Sequence, residues 1–152
     1  MKKENFSKYL PFLIVAVFGI CLFVFVEDIK NIENIKFVRI AGQDIQVKLA
    51  LTPSEQAEGL SGQDKLEHNT GMLFVFKQIG EHNFWMQDMN FPIDIIWLSH
   101  TKQVIYIKID AQPTDFPEVY GPKENSKYVL EVLAGFSQQN NLQVGDRVEF
   151  IF

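Results

Sequence analysis

The sequence predicts an α+β fold: a single compact β-rich domain, its sheet curled into a partly open barrel with two short helices, preceded by one transmembrane helix. Three observations predict it. One uninterrupted apolar segment lies near the N-terminus, short runs of β-branched and aromatic residues recur after it, and only two later stretches carry helix signals. Several runs are apolar on both faces, which requires a sheet that is covered on both sides or curled on itself.

The apolar segment at residues 10–26 reads LPFLIVAVFGICLFVFV and contains no charge. As a helix rising about 1.5 Å per residue it spans roughly 26 Å, which is enough to cross a bilayer. The alternative, a cleaved secretory signal, would leave apolar residues exposed on the mature protein. We therefore predict a cytoplasmic tail at 1–9, a transmembrane anchor at 10–26, a linker at 27–36 and a β-rich domain at 37–152.

The charges that flank this segment predict its orientation. Lys2, Lys3 and Lys8 precede it, whereas Glu27 and Asp28 follow it. Because positive flanks stay in the cytoplasm, the expected location is the cell membrane, with a single pass and the C-terminal domain outside the cytoplasm.

Overall charge and cysteine content exclude two classes of protein. The chain has 14 Lys and Arg against 19 Asp and Glu, a net charge of −5, and no basic stripe follows the tail. Nucleic-acid binding requires clustered basic residues, so no nucleic-acid partner is expected. Cys21 is the only cysteine. A disulfide-stapled fold is therefore excluded, and the domain must be stable through its core.

The first elements of the domain are a hairpin and a helix. In FVRIAGQDIQVKLAL, alternation predicts two strands with Gly42 in the turn between them. In LTPSEQAEGL, Thr52 is placed to cap a helix, Pro53 suits its first position and Glu55 completes a capping box. Gly59 is expected to end that helix.

Strands dominate the rest of the chain. The runs at 72–76, 82–87, 93–99, 103–109 and 128–134 predict five strands. GFSQQNNL then predicts the second short helix, and VGDRVEFIF predicts a turn followed by a closing strand.

These blocks, taken in order, resemble a known family. EGL at 58–60, GMLFVF at 71–76, FWMQDMNFPIDIIWLS at 84–99, YVLEVLAG at 128–135 and VGDRV at 144–148 are similar to the signature blocks of the domain-of-unknown-function 192 family. The resemblance covers nearly all of residues 45–148. It implies a compact β-rich fold in a family that is widespread in bacteria and archaea, is often exported or membrane-anchored, and has no established activity.

Asp94 is the first candidate site residue, because alternation in IDIIWLS places it with Ile96 and Leu98 on an apolar face. An uncompensated buried carboxylate is costly, so Asp94 must find backbone N–H groups or a partner. The structural interpretation is that it fastens the adjoining DMNFP segment by accepting its amides. The functional interpretation is that it lines a pocket with a perturbed pKa.

Glu131 presents the same question in YVLEVLA, where it shares a face with Val129 and Leu133. Two acids on two strands could act as a general acid and base, as in glycoside hydrolysis, and Asp94 with Glu131 is the candidate catalytic pair.

An aromatic shelf is the candidate binding surface. Phe84, Trp85 and Met86 cannot all lie on one face of a strand, so at least one large side chain points away from the core. If that face is open, a sugar or a peptide could bind there. The predicted ligand-binding residues are Trp85, Met86, Asp88, Asp94, Tyr120 and Glu131.

His68, His82 and His100 have no metal-site spacing, so neither a metal nor a cofactor is predicted. The leading functional hypothesis is a membrane-anchored extracytoplasmic domain that binds a small molecule, a glycan or a protein partner at the cell envelope. The alternatives are a hydrolase that uses Asp94 and Glu131, and a purely structural interaction module in a membrane complex. The sequence leaves open whether the protein is an enzyme.

Overall fold

The computed structural model describes residues 32–152 of the chain. The predicted tail at 1–9, the membrane helix at 10–26, the first half of the linker at 27–36 and Cys21 lie outside the described residues. Within the described part, no helix is both long enough and apolar enough to cross a membrane. The membrane anchor and its orientation therefore stay predictions.

Short strands separated by turns make up most of the described chain. The strands are β1 (Phe37–Ile40), β2 (Gln43–Ala50), β3 (Thr70–Gly80), β4 (Phe84–Trp85), β5 (Ile93–Leu98), β6 (Val104–Ala111), β7 (Val119–Tyr120), β8 (Ser126–Leu133) and β9 (Glu149–Ile151). The α-helices are α1 (Pro53–Glu58) and α2 (Phe136–Gln139), and a 3₁₀ turn lies at Pro113–Asp115.

Seven strands form one sheet in the order β6-β5-β8-β3-β2-β1-β9. Neighbouring strands are antiparallel except β2 and β3, which are parallel and are joined through α1. A parallel pair needs a crossover connection, and the α1 segment supplies it. The remaining two strands, β4 and β7, form a small separate ladder.

The two ends of the seven-stranded sheet approach each other. Gln103, beside the start of edge strand β6, forms an isolated antiparallel bridge with Arg147, just before edge strand β9. On either side of it, Val104 N–H donates to the Asp146 carbonyl at 2.9 Å and Val148 N–H donates to the Lys102 carbonyl at 2.9 Å. The sheet is thus a curled half-barrel, and the predicted β-rich domain with two short helices is confirmed.

The two faces of the sheet bury different side chains, as alternation predicts. On one face, Phe74, Ile95, Trp97 and Val129 belong to an apolar cluster that is almost fully buried. The residues between them point to the opposite face, where side chains such as Leu73, Ile96, Leu98 and Leu130 are inaccessible to solvent.

The first hairpin and helix form where the sequence predicts them. Ala41 and Gly42 have positive φ angles of 48° and 75° in the turn between β1 and β2, as tight hairpins require. At α1, the Thr52 hydroxyl accepts from Glu55 N–H at 3.3 Å, and the Glu55 carboxylate accepts from Thr52 N–H at 2.9 Å. The capping box is therefore confirmed, and Gly59 ends the helix at a φ of 53°.

Hydrogen bonds attach α1 to the sheet. The Gln56 side-chain amide donates to the Ala50 carbonyl of β2 at 3.2 Å and to the Val75 carbonyl of β3 at 3.0 Å. Although no residue of α1 is fully buried, the helix is held against the two strands that it connects.

The predicted strand at 82–87 is too long. Only Phe84–Trp85 pairs, and its partner is Val119–Tyr120, a strand that the sequence does not predict. The pairing ends because Met89 N–H turns back to the Met86 carbonyl and Asp88 adopts a left-handed conformation with a φ of 55°. A two-residue strand has no measurable alternation, so β7 leaves no pattern to find.

Candidate functional site

Asp94 lies on β5 and is fully buried. Its Oδ1 accepts the backbone N–H groups of Asp110 at 2.9 Å and Gly135 at 3.3 Å, and its Oδ2 accepts that of Ser137 at 2.8 Å. These contacts support the structural interpretation of Asp94 as a backbone clamp. The predicted partners are wrong, because the amides come from β6 and from the start of α2 rather than from the DMNFP segment.

Local irregularities of the backbone make these amides available to Asp94. The β5–β6 register shifts between Ile93 and Ile95, so that Asp110 lies in a bulge and its N–H faces Asp94. The N-cap residue of α2 is Gly135, which has no side chain to accept the first N–H groups of the helix. Asp94 accepts the N–H groups of Gly135 and Ser137 there and takes the place of the missing cap.

Glu131 lies on β8, directly opposite Met72 of β3 and Ile95 of β5. Residues that are paired across a sheet share a face, and successive residues of a strand alternate between faces. Asp94, which precedes Ile95, therefore points to the opposite face from Glu131. The predicted catalytic pair is wrong, since the sheet separates the two carboxyl groups and no substrate bond can lie between them.

The carboxyl group of Glu131 is isolated. The residue is 4% exposed, and among the described residues its Oε2 has no hydrogen-bond partner. Burial raises the pKa of Glu131 to about 8, because the charged form loses its hydration and gains nothing in return. At pH 7 the side chain is mostly a neutral carboxylic acid, which can both donate and accept a hydrogen bond.

Glu131 forms part of the wall of a cleft with a volume of about 300 Å³. The cleft lies between the sheet, the α1 segment and the chain that follows β3. It is lined by residues 56–61 and 81–85 and by Phe74, Phe76, Met89 and Glu131. Five ring side chains therefore line one cavity: Phe74, Phe76, His82, Phe84 and Trp85. An apolar, aromatic lining with a few polar groups is typical of ligand pockets.

Aromatic contacts fix one wall of this cleft. The His82 ring stacks on Phe76 with 3.5 Å between centroids and 9° between planes, and Phe84 packs edge-on against Phe74 at 4.8 Å. The Trp97 indole N–H donates to the His82 carbonyl at 2.7 Å, which holds the segment in place. Burial lowers the pKa of His82 below its ordinary value of 6.5, so its ring is neutral at pH 7.

Gly59 keeps the cleft open above Glu131. A β-carbon at Gly59 would lie 3.3 Å from Cζ of Phe74 and 3.9 Å from Oε2 of Glu131. Any larger side chain there would fill the space in front of the carboxyl group, and the positive φ of Gly59 would strain it.

Two of the six predicted binding residues, Trp85 and Glu131, line the cleft. Trp85 is the large side chain that points away from the core, with 54% of its surface exposed, whereas Met86 is 1% exposed and belongs to the core. Asp88 is exposed outside the cleft lining. Tyr120 is buried, and its hydroxyl donates to Asp115 at 2.6 Å instead of forming a rim. The predicted aromatic shelf thus lies beside Glu131, not beside Asp88 and Asp94.

Sequence reasoning missed the residues that face Glu131 from other elements. Alternation in GMLFVF places Phe74 and Phe76 on one face, but only the pairing of β3 with β8 brings that face to Glu131. The sequence suggests His82 only as a candidate metal ligand, for which its spacing is unsuitable. Among residues 32–152, no three His, Cys, Asp or Glu side chains lie close enough together to hold a metal ion.

Several solved structures share this fold, and two of them illustrate the similarity. A protein of unknown function from Novosphingobium aromaticivorans superposes with a TM-score of 0.72 and is 29% identical, covering 76% of this chain and 84% of its own. A candidate transcription regulator from Sinorhizobium meliloti superposes with a TM-score of 0.70 and is 27% identical, covering 75% of this chain and 90% of its own. No curated protein is similar enough to this chain to count as a match.

The resemblance to family blocks noted in the sequence is confirmed over the whole domain. The family model described as DUF192, Uncharacterized ACR, matches residues 36–150, which include every strand of the half-barrel apart from the last residue of β9. The chain therefore belongs to the DUF192 family.

Proposed function

We propose that this DUF192 domain binds a small molecule in the cleft of Glu131, and that the chain presents the domain outside the cytoplasm on a membrane anchor. The observation that carries the binding proposal is the carboxyl group of Glu131, which is buried, unpartnered and directed into an aromatic cleft. Such a group destabilises the free protein, and a role in ligand binding would account for its presence.

The energetic argument compares the empty and the filled cleft. An unsatisfied buried polar group costs about 1 to 3 kcal/mol, and a ligand that supplies the missing hydrogen bond recovers much of that cost. The aromatic walls add apolar area for the same ligand to cover. A ligand seated against Phe76 and Glu131 would therefore gain both dispersion and a directional contact.

Catalysis by a carboxylate pair is not part of the proposal. Asp94 is bound to three amides on the opposite face of the sheet, so it cannot be the second acid that hydrolysis of a glycoside with Glu131 would require. Nucleic acid is not proposed either, because a net charge of −5 opposes binding to phosphates.

A protein-interaction role is the second candidate, and one observation favours it. Trp85, Phe116 and Val119 are 54%, 46% and 53% exposed, and the Trp85 and Phe116 rings contact edge-on at 6.5 Å between centroids. Large apolar side chains grouped on a surface often mark a contact with another molecule. Trp85 also lines the Glu131 cleft, so a peptide side chain that enters the cleft would contact both features.

A ligand screen by thermal shift on the full-length chain in nonionic detergent tests the binding proposal. A ligand at 100 times its Kd stabilises the native state by about 2.7 kcal/mol and so raises the melting temperature. For ligands that bind in the cleft, most of this rise in melting temperature should be lost in Glu131→Leu. It should be kept in Glu124→Gln, which alters an exposed acid outside the cleft lining. A library in which no compound shows this dependence would refute the proposal.

A reporter fusion tests the proposed location. With positive charge before residues 10–26 and acids after them, a reporter joined after Phe152 should be active only outside the cytoplasm. Activity in the cytoplasm would overturn the location without touching the binding proposal.

A further inference from the structure

The charge of the cleft lining narrows the class of ligand. Three carboxyl groups line it, those of Glu58, Glu81 and Glu131, and the lining contains no lysine or arginine. Lys127 lies close enough to influence His82, but its ammonium group donates to the Lys77 carbonyl at 3.0 Å and does not line the cleft. An anionic ligand would meet acids without a compensating cation, so anions are the least suited occupants.

The aromatic lining of the cleft also favours a positively charged ligand. Phe74, Phe76, Phe84 and Trp85 all contribute to one cleft together with the stacked, neutral His82 ring. Aromatic faces attract ammonium groups, and this attraction grows when water is excluded. Rings on the walls combined with a carboxyl group deep in the cleft form the arrangement that proteins use to recognise alkylammonium ions.

We infer that the Glu131 cleft binds an organic cation, with its ammonium group held among the aromatic walls and paired with the Glu131 carboxylate. This inference rests on the proposed small-molecule function and names its ligand class. The geometry that carries it is the unpartnered Oε2 of Glu131 at an aromatic cleft whose remaining charged lining residues are also acids.

When a cation pairs with Glu131, the carboxyl group loses its proton. In the free protein the group is mostly COOH at pH 7. When the cation binds, the O–H bond breaks, the proton leaves to the buffer and the carboxylate remains with the ammonium group. Because the pKa of free Glu131 is about 8, cation binding at pH 7 should release roughly nine-tenths of a proton. A neutral ligand would release none.

Three other titratable side chains line the cleft, those of His82, Glu58 and Glu81. His82 has a pKa below 6.5 and stays neutral between pH 7 and pH 9. Glu58 and Glu81 are exposed on the rim, where solvent reaches them. Strands β3 and β5, which flank Glu131, contribute only the apolar side chains of Met72, Phe74 and Ile95 beside it.

Choline and its uncharged carbon isostere, 3,3-dimethylbutan-1-ol, provide a matched pair of probes. Choline carries a charge that does not titrate, so any pH dependence of its binding belongs to the protein. Calorimetric titration of the full-length chain should give a Kd for choline at least tenfold lower than for the isostere. The affinity for choline should rise about fivefold from pH 7 to pH 8 and only about twofold from pH 8 to pH 9.

Variants assign these effects to Glu131. In Glu131→Gln, choline should lose at least tenfold in affinity, and proton release, measured in two buffers of different ionisation enthalpy, should vanish. The control variant Glu124→Gln, at an exposed position outside the cleft lining, should change choline affinity by less than threefold and keep both the pH profile and the proton release.

The outcomes separate this inference from the small-molecule proposal. Equal affinities for choline and its isostere would overturn the inference that the ligand is an organic cation, and so would choline binding that is unchanged in Glu131→Gln. Either result would leave the small-molecule proposal in place. If neither probe binds, the organic-cation inference is also overturned. The small-molecule proposal fails only if the wider screen yields no ligand whose binding depends on Glu131.

Discussion

Asp94 and Glu131 lie on adjacent strands and both are almost inaccessible to solvent, but they differ in their hydrogen bonds. Asp94 accepts three backbone N–H bonds, while the Oε2 of Glu131 has no partner among the described residues. Burial is the same for both, so burial does not decide the role of either acid. The supply of free backbone amides decides it.

The backbone around each acid explains this difference. Asp94 faces a bulge of β6 and the first turn of α2, two places where N–H groups are not used by a regular ladder. Glu131 lies in the middle of β8, paired in regular register with Met72 on one side and Ile95 on the other. The backbone amides of the neighbouring strands are used in regular ladders, and the Glu131 side chain faces the cleft.

The largest expected effect comes from Glu131→Gln at high pH. Glu131 titrates at an ordinary value of 4.5 when unfolded and at about 8 when folded, so the native state binds more protons between these pH values. The stability of the parent must therefore fall as pH rises through this window, by at most about 5 kcal/mol. Gln keeps the shape of the neutral acid, and the variant should be nearly as stable as the parent at pH 5 and clearly more stable at pH 9.

Chemical denaturation followed by tryptophan fluorescence measures this effect, because Trp85 and Trp97 are the only tryptophans of the chain and both lie in the domain. Glu124→Gln, at an exposed position, is the matched control and should follow the parent at both pH values. If Glu131→Gln and the parent lose stability in parallel up to pH 9, Glu131 is ionised or paired in the native state and the contrast with Asp94 disappears.

Asp94→Ala should have the next largest effect, in the opposite direction. The substitution leaves the N–H groups of Asp110, Gly135 and Ser137 without their acceptor, and a loss of about 3 kcal/mol is expected at pH 7. Asp94→Asn keeps one acceptor oxygen but adds donors that the site cannot use, so it should cost less than Ala.

The same denaturation experiment compares the two Asp94 variants with Asp146→Ala, which removes a single acceptor, that of Gln143 N–H, near the surface. That control should lose less than about 1 kcal/mol. An unchanged or raised midpoint for Asp94→Ala would contradict the clamp, and would make Asp94 the strained functional carboxyl group instead of Glu131.

Alternation and capping rules were enough to predict most elements of the fold and the residues of its own strand that share a face with each acid. The hairpin at Gly42 and the helix capped by Thr52 follow from local chemistry and are confirmed. The short ladder of β4 with β7 was not predictable, because it depends on chain segments that meet only after the sheet has formed.

The candidate site depends on information that a single sequence does not contain. Placing Asp94 and Glu131 on opposite faces requires the register between β5 and β8, and a shift of one residue would have put them on the same face. The partners of Asp94 likewise depend on a bulge, and bulges have no reliable sequence signal when they lack glycine. The chemistry of each acid was therefore visible in the sequence, but its neighbours were not.

The smallest effect concerns the helix that covers the Glu131 side of the sheet. Thr52 caps α1, and Thr52→Ala should cost about 1 kcal/mol by removing an acceptor from the first turn. The control is Ser54→Ala, at an exposed position of the same helix, which should change stability by less than about 0.5 kcal/mol.

The two regions should respond differently to this loss of the cap. Residues 56–61 line the cleft, so fraying of α1 should admit water to Glu131 and lower its pKa toward 4.5. The free energy of unfolding should then decrease less between pH 5 and pH 9 than it does in the parent. Asp94 lies on the other face, and the cost of Asp94→Ala should be the same in the Thr52→Ala background, because sites without shared partners contribute additively. A pH profile that keeps its full slope in Thr52→Ala would show that the sheet and its aromatic side chains alone exclude water from Glu131, and that α1 has no part in maintaining its raised pKa.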